Sequence, residues 1–254
     1  MSEKRLVIGD VHGHYSALCN LLEGIGLNND DEIYFLGDLI DRGPQSSEVV
    51  KFVMDNEYQC ILGNHEIMLL EALGSEQLNH QVFQSWLQNG GNATVMSYGH
   101  QMPPREHIEW MKSLPFYYDL GDYWLVHAGV DPRRQITQQS PDQFCWIRGE
   151  FHRTQKPYFE DKTIVIGHTI TFTFDGVEPG KIAQGQGWLG IDTGVYHHGQ
   201  GCLTAFDLNN AQVYQVDSFG QHFRQKSIAE VITPINVEQM SSHRRRSRSR
   251  SIFR

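Results

Sequence analysis

The sequence predicts an α/β protein in which two β-sheets pack face to face with helices outside. Three observations carry this. The first 70 residues alternate short apolar, β-branched runs with amphipathic stretches. Equivalent positions Asp10, Asp38 and Asn64 recur at 26–28 residues, the spacing of a βαβ unit. From Phe116 the pattern changes to short strands joined by turns, as an antiparallel half requires. A chain of 254 residues, 39% hydrophobic, is long enough for one full core.

The elements follow in order. A strand over 5–8 leads into a helix over 15–24, with Leu18, Leu21, Leu22 and Ile25 on one face. A strand over 32–36 leads into a helix over 46–54, carrying Val49, Val50 and Val53. A strand over 59–62 leads into a helix over 65–73. Consecutive βαβ units give parallel strands whose C-terminal ends share one edge, where open α/β sheets bind ligands. Residues 74–113 read as helical and more polar, with helices over 81–88 and 105–114. Asn89-Gly90-Gly91 reads as a helix stop between them. Strands over 116–119 and 123–127 flank Leu120-Gly121-Asp122 as a hairpin. Further strands follow over 163–167, 188–192, 203–207 and 213–216, with Asn209-Asn210 as a second hairpin turn. Residues 1–234 form one domain on this reading, and 235–254 a Ser/Arg-rich disordered tail.

Net charge is −9, yet six arginines and no acid fall in the last dozen residues. The rest sets fifteen bases against thirty acids. Such a body is a poor nucleic-acid binder, which leaves only the Arg-rich tail for that role. An anionic substrate must be attracted locally, by metals and a few arginines. No apolar run approaches the roughly 20 residues of a membrane span, and no signal peptide is visible, so a cytoplasmic protein without a membrane partner is expected. Cys19, Cys60, Cys145 and Cys202 stand singly in apolar surroundings and read as reduced thiols.

Chemistry concentrates where strands end. Three motifs, GDVHG at 9–13, GDLIDRG at 37–43 and GNHE at 63–66, each follow an apolar run. Asp10 and His12, two residues apart, lie on the same side of the chain and can chelate one ion. Asp38 ends the adjacent strand and can bridge to a second ion, and Asn64 ends the third. His127, opening HAG, and His168, opening HT, end later strands in the same way. Carboxylate, imidazole and amide oxygen without thiolate favour two Mn²⁺, Fe or Zn²⁺ ions, Mn²⁺ first. Two metals roughly 3.5–4 Å apart can share a hydroxide that attacks phosphorus in line. Arg42 offers a planar fork to phosphate oxygens and Arg148 a second one, with Asn64 beside them. His65 can protonate the leaving oxygen, and Asp41 can hold His65 charged and oriented.

These motifs resemble the metallophosphoesterase (calcineurin-like) superfamily, and within it the PPP-type serine/threonine phosphatases of the small bacterial and phage kind. The family pattern GDxHG, GDxxDRG, GNHE, H(G/A)G and a later His is met in order between Gly9 and Thr169. The resemblance implies a four-layer α/β/β/α sandwich of two mixed sheets. It implies that Asp10, His12 and Asp38 hold one metal, and Asp38, Asn64, His127 and His168 the other. Arg42 and Arg148 would bind phosphate, and the Asp41–His65 pair would assist the leaving group. The implied activity is metal-dependent hydrolysis of phosphomonoesters, with phosphoserine and phosphothreonine proteins first, phosphotyrosine beside them, and phosphorylated small molecules also in range. The runner-up is a symmetrical bis(5′-nucleosyl)-tetraphosphatase, acting on diadenosine tetraphosphate. That branch departs from the DRG aspartate and carries GNHD, whereas this chain keeps Asp41 and Glu66.

Other features read as structural. His14 starts the first helix, and His197-His198 lies in a Gly-flanked loop. Asp192-Thr193-Gly194 is a tight strand end, with packing near the site as the alternative, and Trp86, Trp110 and Trp124 are core.

Overall fold

The computed structural model describes residues 3–73 and 79–236. Strands β1 (Arg5–Ile8), β2 (Glu32–Phe35) and β3 (Gln59–Cys60) are parallel neighbours. Helices α1 (Tyr15–Ile25) and α2 (Ser46–Asp55) connect them, and α3 (Asn64–Leu73) leaves β3. A helical block follows: α4 (His80–Trp86), a π-turn over Leu87–Gly91, α5 (Asn92–Ser97) and α6 (Arg105–Ser113). The second half holds β4 (Tyr117–Asp119), β5 (Tyr123–Val126), α7 (Pro141–Trp146), α8 (Gly149–His152) and β6 (Thr163–Ile166). Then come β7 (Ile182–Gly185), β8 (Trp188–Gly190), β9 (Cys202–Asp207), β10 (Gln212–Asp217), β11 (Arg224–Ser227) and β12 (Ile232–Pro234).

The strands form two mixed sheets, ordered β11-β10-β9-β1-β2-β3 and β12-β7-β8-β6-β5-β4. Side-chain alternation shows how they stack. Val7 of β1 joins Leu125, Val165 and Leu189 in one buried cluster between the sheets. Its neighbours Leu6 and Ile8 point the other way, into a cluster with Leu18, Leu21, Val49 and Val50 of α1 and α2. In the second sheet Val165 faces inward, while Ile164 and Ile166 pack outward with Phe144 and Phe151 of α7 and α8. The period of two therefore divides each strand between an inner and an outer core. The result is the expected four-layer α/β/β/α sandwich.

The two halves of the sequence do not map onto the two sheets. The β9–β10 hairpin returns to the first sheet and pairs antiparallel with β1. Strand β11, Arg224-Gln-Lys-Ser, has no apolar alternation because it is an edge strand exposed on both faces. It is visible only through its pairing with β10. β3 stops earlier than the apolar run suggests, since the Leu62 N–H leaves the ladder for the Pro115 carbonyl at 2.8 Å. Gly90 does not end the helical segment: at φ +116° it kinks the π-turn that joins α4 to α5. The Arg-rich tail beyond residue 236 lies outside the described residues.

Candidate metal centre

Strand ends from both sheets meet at one place. Asp10 follows β1, Asp38 follows β2, Asn64 opens α3 just after β3, His127 follows β5 and His168 follows β6. All five are buried, as is His12. The backbone is bent sharply to aim them. His12, Asp38, Asp41, Arg42 and His168 all sit at φ between +45° and +71°. Such geometry costs of order 1 kcal/mol or more per non-glycine residue, and it persists only where the surroundings enforce it.

Glu66 supplies much of that enforcement. Its buried carboxylate accepts from the N–H groups of Asp38 at 2.9 Å, Leu39 at 2.8 Å, Ile40 at 3.3 Å and Gly63 at 3.1 Å. It thus buckles the second motif to the third. Burial pushes its pKa up to about 7, against the Asp38 N–H and the nearby imidazoles. Gly167 is required by close approach, because a Cβ there would collide with the Asp10 carboxylate.

The donor atoms form two groups that share Asp38: His12, Asp38 and His65, and Asp38, His127 and His168. Their hydrogen bonds test whether a metal fits. The His127 Nδ1–H donates to the Leu36 carbonyl at 2.7 Å, so Nε2 presents its lone pair. That lone pair faces Asn64 Oδ1 at 2.9 Å and Asp38 Oδ1 at 3.4 Å. His12 repeats the pattern, with Nδ1–H on the Ile40 carbonyl at 2.9 Å and Nε2 facing Asp38 Oδ2 at 3.7 Å and Asp10 Oδ2 at 4.0 Å. Acceptors converging in a buried space are reconciled by a shared cation. Without one, a proton is drawn in. Burial alone would depress His127, but the Asp38 carboxylate outweighs it and raises the pKa to about 9. Asp10 is raised, by burial first and then by Asp192 and Asp38. The residues therefore fit divalent ions bound by oxygen and imidazole.

The predicted acid–base and phosphate residues sit around this centre. His65 Nδ1–H donates to Asp41 Oδ2 at 2.7 Å, which turns Nε2 toward the site. Arg42 lies across the opening, donating to His12 Nε2 at 2.8 Å and His65 Nε2 at 2.9 Å. Arg148 donates to Thr169 Oγ1 at 2.7 Å, beside His168. His65 also qualifies geometrically as a ligand, since Nε2 is 3.9 Å from Asp38 Oδ2.

Four further residues belong here. Trp86 is buried, as expected of core, but its indole N–H also donates to Asp41 at 3.0 and 3.2 Å. The Thr94 hydroxyl donates to Asp41 Oδ1 at 2.6 Å and accepts from its N–H at 2.9 Å. The π-turn thus serves the site, and the Arg42 N–H donates to the Gly90 carbonyl at 3.1 Å. The third, Asp192, is buried with Oδ2 unpartnered, and burial pushes its pKa up to about 6. It follows an apolar strand as Asp10 and Asp38 do, the signal by which the sequence offers it as a residue packed near the site. The fourth is Tyr196, whose ring lies 4.2 Å from the Arg42 guanidinium carbon. His14 stands at the start of α1 with its ring on the Val11 and His12 carbonyls, and His197 and His198 are exposed, as the sequence suggests.

A two-sheet sandwich with carboxylates, imidazoles and an amide at its strand ends defines a metal-dependent phosphoesterase. Residues 4–216 match the calcineurin-like phosphoesterase family model, and the chain belongs to that family. A curated relative, the symmetrical bis(5′-nucleosyl)-tetraphosphatase of Methylococcus capsulatus, is 34% identical over 130 residues, 49% of this chain and 42% of the relative. The match thus spans less than half of that relative's length. Among solved structures, a candidate diadenosine tetraphosphatase aligns with TM-score 0.64 at 20% identity, covering 85% of this chain and 94% of that one. A serine/threonine phosphatase from Saccharomyces cerevisiae aligns with TM-score 0.52 at 16% identity, covering 89% and 80%. At those identities the structural likenesses establish the fold alone. Among the described residues no helix is long and apolar enough to cross a membrane.

Proposed function

We propose that this phosphoesterase hydrolyses a bis(5′-nucleosyl) tetraphosphate at its central anhydride, using two divalent ions, Mn²⁺ first with Fe and Zn²⁺ as alternatives. The observation that carries the substrate is the 34% identity to a protein of that activity over half of the chain. The sequence motifs put phosphoproteins first, and the curated relatives support the runner-up instead. Bound metals would supply charge neutralisation for phosphoryl oxygens and an acidified water. The remaining work falls to side chains. Arg42 is anchored by the Gly90 carbonyl and Tyr196, and its fork suits the oxygens of the phosphate under attack. Arg148 suits a second pair of oxygens, and Asn64 sits beside His127 and His168. Water oxygen joins phosphorus and releases a proton, the bridging P–O bond breaks, and His65 Nε2, which accepts from Arg42 in this structure, takes up that proton and passes it to the departing oxygen. Asp41 keeps that imidazole oriented through Nδ1.

A second reading, phosphomonoester hydrolysis on protein phosphoserine or phosphothreonine, is supported by the same Asp41–His65 pair. An alkoxide leaving group needs a general acid far more than a phosphate does. The test is product analysis. Metal-loaded protein given diadenosine tetraphosphate should release ADP alone. ATP with AMP would place the cut elsewhere, and no cleavage beside rapid phosphoserine-peptide hydrolysis would favour the second reading.

A further inference from the structure

A cleft of about 920 Å³ opens between the loop at 132–136 and the segment 150–159. Its lining carries Arg133, Arg134, Arg153 and Lys156 against a single acid, Glu150. That is a basic surface on a chain of net charge −9. Two of the cations are pre-set from beneath. Asp131 pairs with Arg133 at 2.8 Å and with Arg134 at 3.4 Å, while their side chains stay 75% and 51% exposed. Gln139 braces the same turn, accepting from the Asp131 N–H and donating to the Asp131 and Arg134 carbonyls. Arg153 and Lys156 are in no ion pair among the described residues. Two aromatic rings, Tyr158 and Phe159, stand in the wall among Pro132, Ile136, Pro157 and uncharged polar side chains. The Tyr158 hydroxyl donates to the Arg134 carbonyl at 2.7 Å, and Phe159 packs edge-on against Trp124 with centroids 5.5 Å apart.

The cleft adjoins the metal centre. Arg148 and Arg153 flank the two ends of α8, about 8 Å apart at 1.5 Å per residue. A smaller cleft shares Arg133, Arg134 and Glu150 with the first and is also lined by Trp146 and Ile147. Trp146 in turn stands edge-on to His168, centroids 6.3 Å apart. Trp146 therefore touches a candidate ligand on one side and lines the smaller cleft on the other.

We propose that this cleft holds the distal nucleoside phosphate of the substrate while the reacting phosphate sits at the metal centre. The proposal rests on the tetraphosphate reading above and names how that substrate is told from a simple monoester. Guanidinium forks suit phosphate oxygens, flat aromatic rings suit a base, and the volume falls in the range of small-molecule sites. An acidic peptide would use the charges and leave the rings idle.

The test compares the intact chain with the Arg153→Gln/Lys156→Glu variant, both metal-loaded. The ratio of kcat/KM for diadenosine tetraphosphate to that for p-nitrophenyl phosphate, which has no distal group, should fall at least tenfold. Arg134→Gln should move it in the same direction, which guards against misfolding of the first variant. An unmoved ratio overturns the proposal. ADP binding by calorimetry separates the two levels. If the dinucleotide is not cleaved but the variant weakens ADP binding tenfold, the tetraphosphatase reading fails and the cleft stands. If ADP binding is unchanged and an acidic phosphopeptide loses kcat/KM instead, the cleft serves polypeptide and the proposal is wrong.

Discussion

Replacing Glu66 by Gln should loosen the centre while leaving every candidate ligand in the sequence. The carboxylate accepts four backbone N–H groups, two on each oxygen. Glutamine keeps one accepting oxygen and turns an NH₂ toward the other pair. Two buried N–H groups lose their partner, at about 1–3 kcal/mol each. The expected cost is about 2–6 kcal/mol, a large share of a typical stability of about 5–15 kcal/mol. At about 2–4 °C per kcal/mol for a chain of this size, Tm should fall by about 4–24 °C. Glu66 fixes Asp38 through its N–H, so metal affinity should fall as well. Calorimetric melting of metal-free protein and Mn²⁺ titration of the same samples read both effects. A Tm within a degree of the parent, with Mn²⁺ affinity intact, would refute the role of Glu66 as the buckle.

Three more outcomes follow from the geometry. His65→Asn should cut turnover of a phosphoserine peptide by about 10²–10⁴ and of the dinucleotide by less than about tenfold, because a phosphate leaving group barely needs protonation. Metal content measured on the purified variant should not change, and its loss would make His65 a ligand. Trp86→Phe removes one donor to Asp41 and should destabilise by about 1.5–3 kcal/mol, the worth of a hydrogen bond to a charged group. An unchanged urea midpoint would contradict that. His152 is buried among Phe151, Phe174 and Trp188, and burial lowers its pKa to about 3. Its folded value lies below the unfolded value of about 6.5, so its contribution is intact above pH 6.5 and declines as pH falls toward 3. At pH 5 the loss is about 2 kcal/mol. His152→Phe should flatten that part of the stability profile, and a profile identical to the parent's would exclude His152 as its source.

Much of the centre is legible in the sequence because each ligand lies within a few residues of a strand end, and β-branched runs mark those ends. Asp10, Asp38, Asn64, His127 and His168 need only the strand pattern and the parallel order to meet. The supports of Asp41 are different. Trp86 and Thr94 lie 45 and 53 residues away in sequence, on α4 and α5, and touch it only once the helical block folds over the second motif. A buried tryptophan looks the same in sequence whether or not its N–H is used. Gly90 reads as a stop because glycine weakens helices, yet its positive φ shapes a continuous kinked segment that meets Arg42. The return of β9 and β10 to the first sheet is likewise a long-range choice, absent from local alternation.

The proposed function is hydrolysis of dinucleoside tetraphosphate at a metal centre built around Asp38. Its most direct test is steady-state turnover by Mn²⁺-loaded protein on diadenosine tetraphosphate, a phosphoserine peptide and a phosphotyrosine peptide, with Asp38→Asn as the blank. The dinucleotide should lead by at least an order of magnitude in kcat/KM, with no turnover by the blank. Phosphopeptides ahead by that margin would contradict the substrate, and an active Asp38→Asn would contradict the centre itself.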